Sequence, residues 1–205
     1  MNGTEAMSKP QDTDASRRAL IIVDVQPTFC EGGELGVQGG HAVARAVADY
    51  ARDHRADYAL VVTTQDWHID PGDHFSTSPD YVDTWPPHGV AGTEAAELHP
   101  DLAGLSIDAR VRKGQYTAAY SGFEGHTDDG SPLEEVLRAA GIGALDVVGL
   151  AESHCVKDTA LDGVARGFSV RVLTDLTAPV SPDLGRAARE ALRRAGVGLI
   201  ASQEA

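Results

Sequence analysis

A chain of 205 residues with 42% hydrophobic content is long enough to bury a sizeable core and is expected to form one domain. Its 31 acidic residues against 17 basic ones give a formal charge of −14, and the few Lys and Arg are scattered, which argues against a nucleic-acid partner. Two cysteines far apart in sequence, Cys30 and Cys155, are poor material for a disulfide scaffold, and no apolar run reaches the length of a membrane span, so the expectation is a cytoplasmic protein with free thiols and no membrane partner.

Residues 1–17 are polar and rich in small side chains without an apolar centre, and read as a disordered leader ahead of a domain over 18–205. ALIIVDV (19–25) reads as a strand closed by Asp24, GHAVARAVADYARDHR (40–55) as a helix and YALVVTT (58–64) as a second strand. The connection 65–106 is too long for a bare loop and is rich in Gly, Pro, His and aromatics, the mark of a functional segment. It opens with Asp66, His68 and His74 and carries His88 further on, one carboxylate and three imidazoles suited to Zn²⁺, Fe²⁺ or Mn²⁺. The plain alternative is a polar surface loop, which is the reading given to Asp70 and Asp73.

A third strand, IDARVRK (107–113), ends at Lys113 and leads into a second long connection (114–131) and a helix, PLEEVLRAAG (132–141). Strand ALDVVGL (144–150) precedes a helix over 154–167 that carries Cys155 near its start. Strand FSVRVLT (168–174), helix SPDLGRAAREALRRAG (181–196) and strand VGLIA (197–201) complete the chain. This alternation predicts an α/β fold, a parallel sheet with helices on both faces, because each parallel crossover needs a helix-sized connection.

Ligands of such sheets gather at the carboxyl ends of the strands. Asp24, Asp66 with His68, Lys113 and Cys155 all fall on that edge, from four separate segments. Alone, Asp24 could be a strand-end cap, Lys113 a solvated charge and Cys155 a small buried hydrophobe. Together they supply what a nucleophilic thiol needs, a base for its proton and a cation for its thiolate, so Asp24, Lys113 and Cys155 are the candidate catalytic set. Cys30, beside a Gly pair and without a basic neighbour, reads as structural, and His41, His54, His99 and His126 have no partner at ligand spacing.

Five segments, RALIIVDVQ…FCEGG, DWHIDPGDHF, DYVDTWPPHGVAGT, RKGQYTAAYSGFEG and VVGLAESHCVKDTALDGVARG, resemble in order and spacing the nicotinamidase/pyrazinamidase branch of the isochorismatase-like cysteine hydrolases, over roughly residues 18–201. The resemblance implies a Rossmann-like, three-layer α/β/α fold with a six-stranded, mostly parallel sheet and the catalytic trio Asp24, Lys113 and Cys155. It assigns Asp66, His68, His74 and His88 as ligands of one divalent first-row ion, Phe29 and Trp85 as the walls of an aromatic-ring slot, and Tyr120 to the pocket border. It also implies an oxyanion hole of the Ala151 and Cys155 amides behind a cis Leu150–Ala151 peptide. The implied activity is hydrolysis of nicotinamide, and of pyrazinamide, through a thioester, in pyridine nucleotide salvage; monomer and homo-oligomer both stay open. Two places depart from the family pattern: Glu152–Ser153 stands where Thr–Asp is common, and Pro27–Thr28 where Asn–Asp is common. They leave room for another small amide or carbamoyl substrate, or for an inactive ligand-binding homologue.

Overall fold

The computed structural model describes residues 14–205. Six strands, β1 (Asp14–Val23), β2 (Leu60–Asp66), β3 (Ala109–Lys113), β4 (Ile142–Leu150), β5 (Ser169–Ala178) and β6 (Gly198–Ile200), form one sheet. They pair in the order β3-β2-β1-β4-β5-β6, every pair parallel. Four helices cross between them: α1 (Gly40–Asp53), α2 (Leu133–Ala139), α3 (Lys157–Ala165) and α4 (Pro182–Arg194).

The period-two alternation of a strand divides the apolar side chains of β1 between two cores. Leu20 and Ile22 pack with Val43, Ala44 and Val47 of α1 on one face. Ala19, Ile21 and Val23 pack on the other with Leu133 and Leu137 of α2, Ala160 of α3 and Leu192 of α4. The result is the three-layer α/β/α arrangement expected from the sequence. Central β4 is buried along its whole length, the pattern of a parallel strand covered on both sides. Each Leu, Ile or Val so buried contributes about 1.5–3 kcal/mol.

Most boundaries shift by one to three residues from the sequence reading, and two differ by more. β1 begins at Asp14, inside the segment assigned to the leader, and Asp14 pairs with Ile142 before a register shift to Arg18 and Ala144. Strand pairing uses backbone groups, so the polar side chains of that stretch gave no sign of it. The leader predicted over residues 1–13 lies outside the described residues. Strand β5 also runs to Ala178, four residues beyond the predicted 174, after an irregularity against β4 between Val147 and Gly149.

Strand order reverses between β1 and β4, and the crevice outside their carboxyl ends is where such a sheet binds ligands. Close approach of the two strands there depends on Gly149: its φ is 109°, and a Cβ would stand 2.1 Å from the Val23 carbonyl oxygen. Among the described residues no helix is long and apolar enough to cross a membrane.

Candidate active site

Four neighbouring strands, or the turns just after them, deliver side chains to this crevice. Asp66 and Lys113 are register partners at the ends of β2 and β3, Asp24 follows β1 directly, and Cys155 follows β4. Lys113 is fully buried, with its Nζ 3.0 Å from Asp24 Oδ2, 3.6 Å from Cys155 Sγ and 3.2 Å from the Ala119 carbonyl oxygen. It also donates to Asp66 Oδ1. Asp24 lies just beyond its strand with a left-handed φ of 46°, and Thr64 holds it there: the Thr64 hydroxyl donates to Asp24 Oδ1 at 2.5 Å. The sequence thus brought Asp24, Lys113 and Cys155 to one point, as expected.

Cys155 does not sit in the first turn of the following helix. It belongs to a π-helical turn, Glu152–Val156, and α3 begins only at Lys157. The amides of His154 and Val156 both reach the Ala151 carbonyl, at 3.0 and 3.3 Å, a widened turn of the kind found at functional sites. The Leu150–Ala151 peptide is cis, as the resemblance implied.

Burial around a single lysine sets the protonation of these groups. Burial raises the Asp24 carboxyl above the usual carboxylate range, against the pull of Lys113 and with the added repulsion of Asp66. Burial also acts upward on Asp66, but Lys113 and the imidazoles of His68 and His88 outweigh it and hold that carboxyl well below its usual range. The Cys155 thiol is pushed well up by burial, opposed by Lys113. Lys113 stays firmly protonated, because Asp24 and Asp66 outweigh its desolvation.

The imidazoles of His68, His74 and His88 converge next to Asp66, each with a ring nitrogen within 4.8 Å of the others. His68 Nε2 and His88 Nε2 lie 3.6 and 3.7 Å from Asp66 Oδ2. Backbone carbonyls fix the opposite nitrogens: His68 Nδ1 donates to Gly114 at 2.6 Å and His88 Nδ1 to Pro86 at 2.8 Å. Gly114, at φ 75°, is needed here, since a Cβ would stand 2.5 Å from the His68 ring. Buried and without any hydrogen-bond partner are His68 Nε2 and His74 Nδ1. Burial, followed by the two neighbouring imidazoles, pushes His74 down to about 4, so its lone pair is free at neutral pH. Buried orphan nitrogens beside a committed carboxylate fit a divalent first-row ion.

A cavity of about 290 Å³ opens over Cys155 and the histidine cluster. Phe29, Trp85 and Tyr120 line it, as does Ala151, while Asp24, Lys113 and His68 are fully buried and do not. Trp85 Nε1 donates to the Tyr120 hydroxyl at 2.9 Å, which locks one wall. Sequence reasoning missed His154, which also lines the cavity, edge-on to Trp85 with ring centroids 5.6 Å apart. Its only signal was adjacency to Cys155. Gln26 was missed as well: its side chain accepts from the Asp66 amide and donates to the Asp66 carbonyl, both at 2.9 Å.

The departures from the family pattern are built into the fold. Glu152 is fully buried, and both its carboxylate oxygens accept from Arg189 of α4, at 2.5 and 3.1 Å. Thr28, also buried, donates to Glu34 at 2.7 Å and accepts from the Gly89 amide, next to His88, at 3.2 Å. Cys30 is a buried thiol that burial raises to about 11. His41 and His99, read as unpartnered in the sequence, meet at 2.9 Å between ring nitrogens. His54 pairs with Asp57 on the surface, and His126 joins its backbone to Arg112.

Comparison with known proteins agrees with this geometry. The isochorismatase domain model matches residues 18–204. A nicotinamidase/pyrazinamidase of Mycobacterium tuberculosis is 56% identical over 90% of this chain and 99% of its own length. The crystal structure of a Pyrococcus horikoshii pyrazinamidase in complex with zinc superposes with a TM-score of 0.77 at 34% identity, covering 90% of this chain and 99% of that one. PnC1 from L. infantum, in complex with nicotinate, gives 0.78 at 35% identity, covering 93% and 96%. The chain belongs to the isochorismatase family and, within it, to the nicotinamidase/pyrazinamidase branch of amidohydrolases.

Proposed function

We propose that this protein hydrolyses nicotinamide to nicotinate and ammonia, and pyrazinamide likewise, by covalent catalysis at Cys155. The observation that carries the reading is the cluster of Asp24, Lys113 and Cys155 beneath an aromatic-walled cavity that also reaches Asp66, His74 and His88. Asp66, His68, His74 and His88 would hold a divalent ion of the zinc, iron or manganese class. When bound, that ion supplies a Lewis-acid contact for the ring nitrogen of a pyridine-type amide.

Asp24 accepts the Cys155 proton; transfer between the two keeps the buried charge constant, with Lys113 remaining cationic beside both. A carboxylate raised by burial is a better base for a thiol, so its pKa shift serves the transfer. The thiolate attacks the amide carbon, and the amides of Ala151 and Cys155 stabilise the oxyanion, each such donor contributing about 3 kcal/mol. Protonated Asp24 gives its proton to the amide nitrogen, the C–N bond breaks and ammonia leaves a Cys155 thioester. Water then loses a proton to Asp24 and attacks the thioester; collapse releases the acid, and Asp24 returns the proton to the Cys155 sulfur. Phe29 and Trp85 hold the ring, while Tyr120 orients Trp85. Ammonia release from nicotinamide by the metal-replete protein, run beside Cys155→Ala, tests the reading. Fast release that depends on Cys155 supports it, and no release from folded, metal-loaded protein rejects it.

A further inference from the structure

Three metal-ligating side chains that the mechanism does not use also come together. Cys30 caps the short turn Pro27–Phe29, His41 stands in the first turn of α1, and His99 precedes the turn Pro100–Leu102. Cys30 Sγ and one ring nitrogen from each histidine lie within 4.8 Å of one another. Cys30 and His99 are buried and His41 is exposed, so the group is anchored in the core and reachable from solvent. His99 is pinned by its amide, which donates to the Val25 carbonyl at 2.8 Å.

We propose that Cys30, His41 and His99 form a second metal site, for a divalent ion of the zinc class and distinct in every ligand from the site at Asp66. One thiolate and two imidazoles are a zinc-type set, leaving a fourth position for water. His41 already has the outer partner that such a ligand requires, and the Asp101 carboxylate stands near enough to become one for His99. His41 Nε2 faces the Glu31 carbonyl at 3.1 Å, which leaves Nδ1 turned toward His99. His99 Nδ1 lies 3.7 Å from Asp101 Oδ2, and its Nε2 is the atom that meets His41. His41 also lines a cleft with Glu31, Glu34, Glu94 and Glu97, whose negative potential concentrates divalent cations beside the group.

In the structure the same atoms make a hydrogen-bonded relay. The Asp101 amide donates to His99 Nδ1 at 3.2 Å, so His99 carries its proton on Nε2 and donates to His41 Nδ1 at 2.9 Å. Cys30 donates weakly to the Gln26 carbonyl at 3.4 Å. Binding takes the place of the shared proton: the His99 proton moves to Nδ1, which gives up the bond from the Asp101 amide and turns to the Asp101 carboxylate, and the Cys30 thiol releases one proton to solvent. Tetrahedral zinc with nitrogens at about 2.0–2.1 Å sets them on the order of 3.4 Å apart, so the two rings part by about half an ångström.

Cobalt(II) added to metal-free Cys155→Ala protein tests the proposal, because a thiolate–cobalt charge-transfer band then reports Cys30 alone. The proposal expects two cobalt ions per chain, that band, and one proton released with the ion that produces it. Adding Cys30→Ser should abolish the band and leave one ion. His41→Ala, an exposed change that leaves the core intact, should weaken formation of the band at least about tenfold, and Asp101→Asn by about 10–100-fold. A single cobalt per chain without a thiolate band, or a band indifferent to His41→Ala, would overturn the proposal and leave the relay as the whole role of these residues.

Discussion

Two clusters of buried charge lie in this sheet, one around Asp146 in β4 and the other around Lys113 at the carboxyl edge. Asp146 is fully buried, and both its oxygens are doubly paired: Oδ1 accepts from Arg18 and Arg171 at 2.7 Å each, and Oδ2 from Arg171 at 2.6 Å and Tyr58 at 2.8 Å. At the Lys113 cluster Asp24 Oδ2 has an ion-pair contact but no well-aligned hydrogen bond, His68 Nε2 and His74 Nδ1 have no partner, and a cavity opens alongside. Burial of charge is common to both. Completion separates them: the Asp146 shell has no lone pair to offer and stabilises the fold, whereas the Lys113 cluster keeps donors and acceptors for a ligand and a proton to be moved.

The contrast breaks most visibly on removing one atom group from each cluster. Cys155→Ala should lower kcat/KM for nicotinamide by about 10⁴–10⁶-fold while leaving the melting temperature nearly unchanged. Asp146→Ala should do the opposite. It strands Arg18 and Arg171 and should cost about 3–5 kcal/mol in denaturant unfolding, with kcat/KM of the folded fraction preserved. Equal effects of both variants on activity and stability would erase the distinction.

Removing the bound metal with a chelator should lower kcat/KM about 10²-fold through misplacement of the substrate, with restoration on adding Zn²⁺, Fe²⁺ or Mn²⁺. The pH profile sharpens the same point. Asp24 is raised, so as pH falls through its pKa it binds a proton and cannot receive that of Cys155; kcat/KM should fall about tenfold per unit on a limb above the ordinary carboxylate value of about 3.9. His74 is pushed down to about 4, so it stays neutral and able to ligate until the pH nears that value. Rate and metal content measured on the same samples separate the two events: protonation of Asp24 lowers the rate with metal still bound, and protonation of His74 removes a ligand. Trp85→Phe, which deletes one hydrogen bond to Tyr120, should have the smallest effect, raising KM about fivefold for about 1 kcal/mol.

Much of the candidate site was legible in the sequence because parallel alternation brings every strand to end at the same side. Asp24, Asp66, Lys113 and Cys155 each stand at or just past a strand end, so topology alone gathers them. The histidines were legible by density within one long connection. What stayed hidden joins distant residues through side-chain packing. Asp146 finds Arg18 across 128 positions, Glu152 finds Arg189 across 37, and His41 finds His99 across 58, none at a telling spacing. The start of β1 was hidden for another reason, since its pairing involves the backbone and leaves the side chains polar.

In covalent catalysis the substrate passes through a bond to Cys155. Acid quench of the enzyme during turnover of nicotinamide, followed by mass spectrometry of the peptide containing Cys155, tests it most directly. Covalent catalysis predicts a nicotinoyl thioester on that cysteine, absent at Cys30 and absent from Cys155→Ala. Steady turnover with no acyl group on Cys155, and with Cys155→Ala still active, would contradict it.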